Sequence, residues 1–221
     1  MDQLKQEELN EIESQLRFPQ GENGIEMAKM MNDTNITMTL ETIKALDIHN
    51  NHKILEMGHG NCDHLNEILN KGHNLIYSGL EISDTMYAEA CRINKEKVSN
   101  KSASFHLYDG DNIPFEADTF DRIMTVNTLY FWKSPIDLLN ELHRVLTPKG
   151  LAVITFAKSE FMEGLPFVQD KFNLYSNQKA KDLVNLSQLK LVSILDKSDH
   201  VKSKIGDMVN RKFSVMILEK P

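Results

Sequence analysis

The sequence has few of the features that mark a secreted, membrane-spanning or zinc-binding protein. Its two cysteines among 221 residues, Cys62 and Cys91, lack Cys-x-x-Cys spacing. We therefore expect neither a disulfide framework nor a metal site, and a reducing cytoplasm suits such a chain. No apolar run approaches the roughly 20 residues that span a bilayer, so no integral membrane segment is expected. The acidic start does not have the basic-then-apolar order of a secretory signal.

Basic residues are also scarce relative to acidic ones. The chain has 25 Lys and Arg against 32 Asp and Glu, which gives a formal net charge of -7. No local cluster of basic residues offsets this balance, and an acidic surface repels phosphate backbones. Nucleic acid is therefore not an expected partner. Hydrophobic residues make up 41% and charged residues 26%, which is close to the average of a globular domain with a sizeable core.

The first 50 residues predict a helical cap on the same domain. Apolar residues share one helical face at i, i+3 and i+7 spacing: Leu9, Ile12 and Leu16. Pro19 ends that helix, because proline disfavours the helical conformation in the residue before it. Gly21 and Gly24 then predict a loop, and a second helix is expected over residues 35–46.

From residue 52 onward, short apolar runs alternate with amphipathic stretches. The predicted strands are residues 53–56, 75–82, 104–108, 122–126 and 151–156. The predicted helices between them are residues 63–69, 83–98 and 135–146. This alternation is typical of right-handed βαβ units in a mostly parallel sheet with helices on both faces.

The tail predicts a helix over residues 178–186 and two apolar runs, 189–195 and 213–218. No helical pattern separates the two runs, so they are expected to pair antiparallel at the sheet edge. The fold class is therefore α/β: a Rossmann-like, doubly wound, mostly parallel seven-stranded sheet with the last strand antiparallel, plus the cap. We divide the single domain into the cap (1–50), a cofactor-binding core (51–157) and a C-terminal helix with edge strands (158–221).

A Gly-x-Gly turn, Gly58-His59-Gly60, directly follows the first predicted strand. Glycine lets the backbone approach a ligand closely, and the helix that follows presents unpaired N–H groups. Glu81 ends the next strand about 20 residues later, where doubly wound folds place an acid that accepts hydrogen bonds from ribose hydroxyls. Together these features predict a nucleoside-binding site.

Asp63, three residues after the last glycine of this turn, distinguishes two kinds of nucleoside ligand. A dinucleotide fingerprint needs a third glycine at the position that Asp63 occupies here. A carboxylate beside two phosphates is unfavourable, which argues against a nicotinamide-dependent oxidoreductase, although that alternative stays open. An adenosine ligand without phosphates avoids the conflict. S-adenosylmethionine is such a ligand, and its positive sulfonium and amino groups favour an acidic site.

Five motifs in order resemble those of class I S-adenosylmethionine-dependent methyltransferases, in the small-molecule group that includes the quinone-biosynthesis enzymes. They are residues 56–60 (EMGHG), Glu81, residues 108–115 (YDGDNIPF), residues 120–124 (FDRIM) and residues 141–150 (ELHRVLTPKG). The match covers about residues 52–156. It departs from the family pattern at Cys62, which replaces a third glycine. We interpret Cys62 as packing beneath the following helix, with a wider turn as the alternative.

The resemblance implies S-adenosylmethionine as the cofactor and a set of residues that hold it. This set is Glu56, Gly58, His59, Gly60, Glu81, Ile82, Asp109, Gly110 and Asn127. Asp109 would contact the adenine amino group. The side chain of His59 is expected to point outward. No metal is implied, and no catalytic residue is assigned, because the cofactor carries an already activated methyl group.

The loop after the fourth predicted strand, residues 127–132, lies at the carboxyl end of the sheet, where such folds bind ligands. Tyr130 and Phe131 are predicted to line the pocket of a small-molecule acceptor. For Phe131 and Trp132, packing of the cap onto the sheet is an equal alternative. Arg17 is placed at the same pocket, on a segment that closes over the cofactor. The protein is expected to be a monomer or a homodimer. The alternative function is that of a catalytically silent scaffold that binds an adenosyl ligand.

Overall fold

The computed structural model describes residues 6–168, 172–203 and 206–221. The strands in this part are β1 (Lys53–Met57), β2 (Ile76–Glu81), β3 (Ala103–Leu107), β4 (Phe120–Val126), β5 (Leu146–Ala157), β6 (Lys190–Lys202) and β7 (Met208–Glu219). The helices are α1 (Gln6–Arg17), α2 (Gly21–Ala45), α3 (Leu65–Leu69), α4 (Asp84–Ile93), α5 (Lys95–Ser99), α6 (Pro135–Val145), α7 (Ser159–Met162) and α8 (Asn177–Asn185). None of these helices has both the length and the apolar composition for a bilayer crossing.

The strands form one sheet in the order β3-β2-β1-β4-β5-β7-β6. All pairs from β3 to β5 are parallel, whereas β7 runs antiparallel to both β5 and β6. Only a few residues join β6 to β7, and so short a connection allows antiparallel pairing only. The predicted fold class, a mostly parallel seven-stranded sheet whose last strand is antiparallel, is confirmed.

The central strand β1 brings the functional residues to one edge of the sheet. Ile54 and Leu55 are fully buried, as expected of a parallel strand that is covered on both faces. Met57, the last residue of β1, pairs with Leu80 of β2 and with Thr125 of β4. The carboxyl ends of these three strands therefore meet, and the loops that follow them surround a common crevice.

The cap differs from its sequence-based prediction. Residues 21–45 form one continuous helix, α2, so the loop predicted at Gly21 and Gly24 is wrong. A Cβ atom on Gly24 would lie 2.7 Å from the backbone carbon of Pro19. Glycine at this position thus permits close packing of α2 against the preceding turn, which a sequence pattern cannot distinguish from a chain reversal.

The single helix predicted over residues 83–98 is broken at Asn94, between α4 and α5. The Asn94 side-chain amide donates to the backbone oxygen of Cys62, at 3.0 Å, and to that of Ala90, at 3.1 Å. Because Asn94 is buried, these bonds satisfy a polar group that would otherwise be costly there. The helix break therefore ties α4 to the turn that follows β1.

Candidate functional site

The turn after β1 depends on left-handed backbone conformations. Gly58 has φ +69° and Gly60 has φ +57°. A Cβ atom on Gly58 would lie 2.5 Å from Cγ2 of Thr128, so only glycine fits there. A Cβ atom on Gly60 would meet nothing within 4 Å, because Gly60 borders open space. The turn thus leaves room for a ligand directly against its backbone.

Cys62 stands at the third-glycine position of this turn and also has a positive φ, +50°. Left-handed backbone is uncommon for a residue other than glycine, so the surrounding contacts must hold it in place. The Cys62 thiol is fully buried and lies 3.2 Å from the hydroxyl oxygen of Tyr77. The side chain packs within the core, as we interpreted it from the sequence.

Glu81 ends β2 and receives three backbone N–H groups. Its Oε1 accepts from Ile82, at 2.8 Å, and from Ser83, at 3.1 Å, while its Oε2 accepts from Gly60, at 3.0 Å. These bonds fix the carboxylate against the glycine turn. Oε2 accepts only one of them, so it retains a free lone pair for a ligand hydroxyl. This geometry suits the predicted ribose contact.

Glu56, at the end of β1, is buried and paired with His64. The His64 Nε2 lies 3.0 Å and 2.9 Å from the two carboxylate oxygens, and the Tyr77 hydroxyl donates to Oε2 at 2.6 Å. Burial opposes the ionisation of Glu56, but the charge and hydrogen bonds of His64 and Tyr77 outweigh it and lower its pKa. Burial likewise opposes the charging of His64, and the Glu56 carboxylate outweighs it and raises the His64 pKa. The two side chains form a buried ion pair.

Cys62 lies close enough to this pair that the ligand atoms of Glu56, Cys62 and His64 are all within 4.8 Å of one another. Such a grouping resembles a metal site. However, the carboxylate and the imidazole already bond to each other, and burial raises the pKa of the Cys62 thiol well above its usual value. Because the thiolate is the metal-binding form, this arrangement favours internal hydrogen bonding over metal binding.

The side chain of His59 is buried, so the expectation that it points outward is wrong. Its ring lies 4.9 Å from that of Phe105. Nδ1 lies 2.7 Å from the backbone oxygen of Gly60 and therefore carries the hydrogen, while Nε2 has no partner among the described residues. Burial lowers the His59 pKa, which keeps the imidazole neutral. The ring turns inward because Gly79, on β2, leaves the space for it.

Asp109 holds its own loop together. Its Oδ1 accepts from the backbone N–H groups of Asp111, at 2.9 Å, and Asn112, at 2.7 Å, and its Oδ2 accepts from the Asn112 amide at 2.7 Å. The bonds from Asn112 and Asp111 lower the pKa of Asp109 to about 2. The neighbouring Tyr108 and Gly110 line the cavity above the glycine turn, whereas Asp109 does not. The contact of Asp109 with adenine stays a prediction.

The first cavity, of about 1060 Å³ and partly open to solvent, lies above the glycine turn. Eight predicted cofactor residues line it: Glu56, Gly58, His59, Gly60, Glu81, Ile82, Gly110 and Asn127. Arg17 and Phe131 line it too. Other lining residues, which were not among the predicted cofactor residues, include Ala28, Thr39, His64, Thr128 and Trp132. Its carboxylates suit a cationic nucleoside without phosphates.

The second cavity, of about 650 Å³, adjoins the first and is mostly apolar. Five residues line both cavities: Leu16, Met31, Asn35, Asn127 and Phe131. The apolar lining comes largely from the segment after β5: Phe161, Met162, Leu165, Phe167 and Phe172. Sequence reasoning assigned none of these five residues to a site, because the segment has no periodic pattern that indicates a ligand.

Tyr130 contributes to the wall of the second cavity, and its hydroxyl is fully bonded. The hydroxyl donates to Asn127 Oδ1 at 2.7 Å and accepts from the backbone N–H of Ala157 at 2.5 Å. Burial raises the pKa of Tyr130 well above its usual range. A phenol in this state does not take a proton at neutral pH, so Tyr130 shapes the wall and anchors Asn127.

Comparison with known proteins agrees with this architecture. Residues 55–154 match the "Methyltransferase domain" family. The chain is 27% identical over 126 residues to the uncharacterized methyltransferase YdaC of Bacillus subtilis, covering 57% of this chain and 67% of that protein. The fold resembles that of an S-adenosylmethionine-dependent methyltransferase from Aquifex aeolicus, with a TM-score of 0.63 and 15% identity over 86% of this chain and 96% of that one.

A second solved structure has the same fold and contains bound ligands. It is a geranyl diphosphate methyltransferase in complex with GPP and sinefungin, with a TM-score of 0.65 and 12% identity over 84% of this chain and 78% of that one. The strand order, the glycine turn and the acid on β2 occur together with the family match over residues 55–154. Residues 55–154 therefore resemble a methyltransferase domain, and the fold around them is that of the two solved methyltransferase structures.

Proposed function

We propose that the chain transfers a methyl group from S-adenosylmethionine to a small molecule held in the second cavity. The observation that carries this proposal is the wall that the two cavities share at Asn35, Asn127 and Phe131. On one side are the glycine turn and buried carboxylates; on the other is a mostly apolar cavity. Two bound molecules would therefore meet at this wall, which is the arrangement that a direct transfer needs.

Each end of the first cavity suits one part of the cofactor. Glu81 would accept from the ribose hydroxyls, and the backbone around Gly110 would border the adenine, with Asp109 as its predicted amino contact. The charged Glu56–His64 pair lies beside the glycine turn, where the ammonium group of the cofactor's methionine part would bind. When bound, S-adenosylmethionine supplies an activated methyl group. The residues of this chain bind the cofactor and the acceptor, orient them toward each other and exclude water from the site.

The acceptor is proposed to be a small molecule because the second cavity is an apolar recess that is only partly open to solvent. α1 borders it through Leu16, and the segment after β5 covers it with aromatic side chains such as Phe161. Together with the net charge of -7, this argues against a nucleic-acid substrate. A cytoplasmic location, a monomer or homodimer, and the division into 1–50, 51–157 and 158–221 are parts of the same proposal.

Ligand-dependent melting tests the cofactor assignment. A ligand that binds only the folded state stabilises it by RT ln(1 + [L]/Kd), so S-adenosylhomocysteine at 100 times its Kd should contribute about 2.7 kcal/mol. NADH at the same concentration should give no shift. A shift with NADH alone would contradict the assignment.

A second experiment separates an enzyme from a silent scaffold. The protein is incubated with S-adenosylmethionine labelled in the methyl group and a small-molecule extract, and the release of S-adenosylhomocysteine is followed together with labelled products. We expect transfer to a species of low molecular mass. Tight binding of S-adenosylhomocysteine with no transfer to any fraction would favour the scaffold.

A further inference from the structure

We propose that the second cavity binds an apolar acid whose ionised oxygen accepts a hydrogen bond from Arg211. This oxygen is the atom that is methylated. This proposal rests on the proposed function and names its class of acceptor. It depends on three features of the described part of the second cavity: a buried cation with an unused N–H group, a lining without Asp, Glu, His or Cys, and an apolar remainder.

Arg211 lies on β7 and is only 5% exposed. Its Nε and Nη2 bind the Asp199 carboxylate, at 3.1 Å and 2.7 Å, and Nη2 also donates to the backbone oxygen of Thr34 at 2.8 Å. Nη1 donates to Asn35 Oδ1 at 2.8 Å. A guanidinium carries five N–H groups, so one on Nη1 has no acceptor among the described residues. Arg211 lines the second cavity, where a ligand can accept this last hydrogen bond.

The guanidinium lies close to the wall between the two cavities. Its partner Asn35 lines both of them. Burial raises the pKa of Tyr130, and the nearby charge of Arg211 opposes that rise. Arg211 bonds to Asn35 and lines the same cavity as Asn127, the other amide of the shared wall. An anion on Nη1 would therefore be close to the cofactor side.

The described residues that line the second cavity include no side chain that can take a proton at neutral pH. Among the described residues that line it, none is Asp, Glu, His or Cys. In the first cavity, Glu56 is paired with His64 and Glu81 binds three backbone N–H groups. His59 is buried under β2. A neutral alcohol or an ammonium group would have to lose a proton to react, and the described lining gives it no base.

Charge also disfavours a cationic acceptor. Lys202 also lines the second cavity, as a further basic residue. Methylation of an amine gives a product that stays positively charged, and like charges at short range are unfavourable. An anion, by contrast, gains a charge-assisted hydrogen bond from the guanidinium.

The reaction of an ionised oxygen balances without a base. The carboxylate or phenolate oxygen forms a bond to the methyl carbon while the carbon–sulfur bond breaks, and the bonding electron pair stays on sulfur. The products are a neutral methyl ester or ether and S-adenosylhomocysteine, and no proton is released. A cavity without a proton acceptor is therefore sufficient for this class of acceptor.

The remainder of the acceptor is apolar. Phe161, Phe167 and Phe172 line the second cavity, so the lining suits an acyl chain or a substituted aromatic ring. Burial of such a group stabilises binding without adding polar contacts. An apolar carboxylic acid and an acidic phenol share this chemistry, and the experiment below distinguishes them.

Calorimetric binding to the protein saturated with S-adenosylhomocysteine tests the proposal. The probes are decanoate, 4-nitrophenol, methyl decanoate and decylamine. We expect decanoate or 4-nitrophenol to bind roughly tenfold more tightly than the ester and the amine, which corresponds to one charge-assisted hydrogen bond. The tighter of the two anions identifies the carboxylate or the phenolate class. Equal binding of the ester or the amine would overturn the proposal.

Variants test the role of Arg211. R211K keeps the positive charge beside Asp199 and removes the unused N–H group, so anion affinity should fall several-fold while the affinity for methyl decanoate is unchanged. K212Q is the matched control, because Lys212 neighbours Arg211 on β7 but does not line the second cavity. If R211K fails to fold, the wild-type probe series decides the question alone.

The pH dependence of transfer gives a separate readout. Single-turnover methylation of the tighter-binding anion should be independent of pH above the pKa of that acid, because no side chain has to be deprotonated. A rate that rises with pH in this range would reveal a protein base and overturn the proposal. Failure to bind S-adenosylhomocysteine would contradict the proposed function instead, whereas its binding without preference for anionic probes contradicts only this inference.

Discussion

The imidazole of His59 fills the space that a side chain on Gly79 would occupy. A Cβ atom on Gly79 would lie 2.6 Å from Cδ2 of His59 and 2.9 Å from Cδ1 of Phe105. A residue of the glycine turn and a residue in the middle of β2 are thus sterically coupled. The position of the turn, and with it the floor of the first cavity, depends on the neighbouring strand.

The first prediction concerns this coupling. G79A should lower the free energy of unfolding by about 1–3 kcal/mol, because the added methyl group overpacks the site, and it should weaken S-adenosylhomocysteine binding by displacing the turn. Denaturant unfolding and calorimetry measure the two effects. H59A in the G79A background should restore much of the stability. G164A is the matched control, since its added Cβ would make only an ordinary contact at 3.6 Å. Equal losses in G79A and G164A would contradict the coupling.

The second prediction concerns Glu81. E81Q replaces one acceptor oxygen by an amide that cannot accept from the Gly60 N–H and a ribose hydroxyl together. Cofactor affinity should fall by about 1.5–3 kcal/mol, the range for hydrogen bonds to a charged group. Calorimetric titration with S-adenosylhomocysteine measures this. E96Q, at an exposed position on α5, should bind like the wild type. An unchanged affinity in folded E81Q would remove Glu81 from the site.

The third prediction concerns the Tyr130 hydroxyl. Y130F removes the hydrogen bonds to Asn127 and Ala157 and should cost about 1 kcal/mol of stability. The rate of transfer should fall much less than the roughly 100-fold expected from the loss of a general base. Urea unfolding and single-turnover kinetics test both statements. Y87F serves as the control, because Tyr87 lines neither cavity. A 100-fold loss of rate in Y130F alone would show that this hydroxyl moves a proton.

The fourth prediction is the pH dependence of the Glu56–His64 pair. The folded-state pKa of His64 is raised above 6.5, so its contribution is fully present below pH 6.5 and is lost as the pH rises through the folded pKa. The folded-state pKa of Glu56 is lowered below 4.5, so its contribution is present above pH 4.5 and is lost as the pH falls through the folded pKa. The pair therefore stabilises most between pH 4.5 and 6.5.

The variant H64Q tests that window. It should lose about 3–5 kcal/mol of stability there, because it leaves a buried carboxylate without its cation. The difference from the wild type should shrink as the pH rises above 6.5. H73Q, at an exposed histidine, should show neither effect. A difference that grows with pH would contradict the ion pair.

The sheet could be predicted closely because its signals are local. Short apolar runs separated by amphipathic helices predict parallel strands, and two runs with no helix between them predict an antiparallel pair. The glycine turn and Glu81 are likewise local signals at a characteristic spacing. Eight of the nine predicted cofactor residues line the first cavity, and Asp109 is the exception.

The remaining features of the site could not be read from local patterns. A glycine in the sequence serves equally for a chain reversal and for close packing, so Gly24 gave no indication that α2 continues through it. Whether His59 points outward or inward depends on Gly79, a residue of another strand. The His64 partner of Glu56 has no recognised spacing in a motif.

The amino-acid sequence by itself determined the order of strands and helices, the glycine turn and the acid on β2, because periodicity and turn chemistry act over a few residues. Only the tertiary structure decided where the second cavity lies and which cation faces it. Leu16, Phe161 and Arg211 are far apart along the chain and meet in that cavity once β7 is inserted between β5 and β6. Side-chain packing across the sheet brings them together, and no pattern within a single segment encodes such contacts.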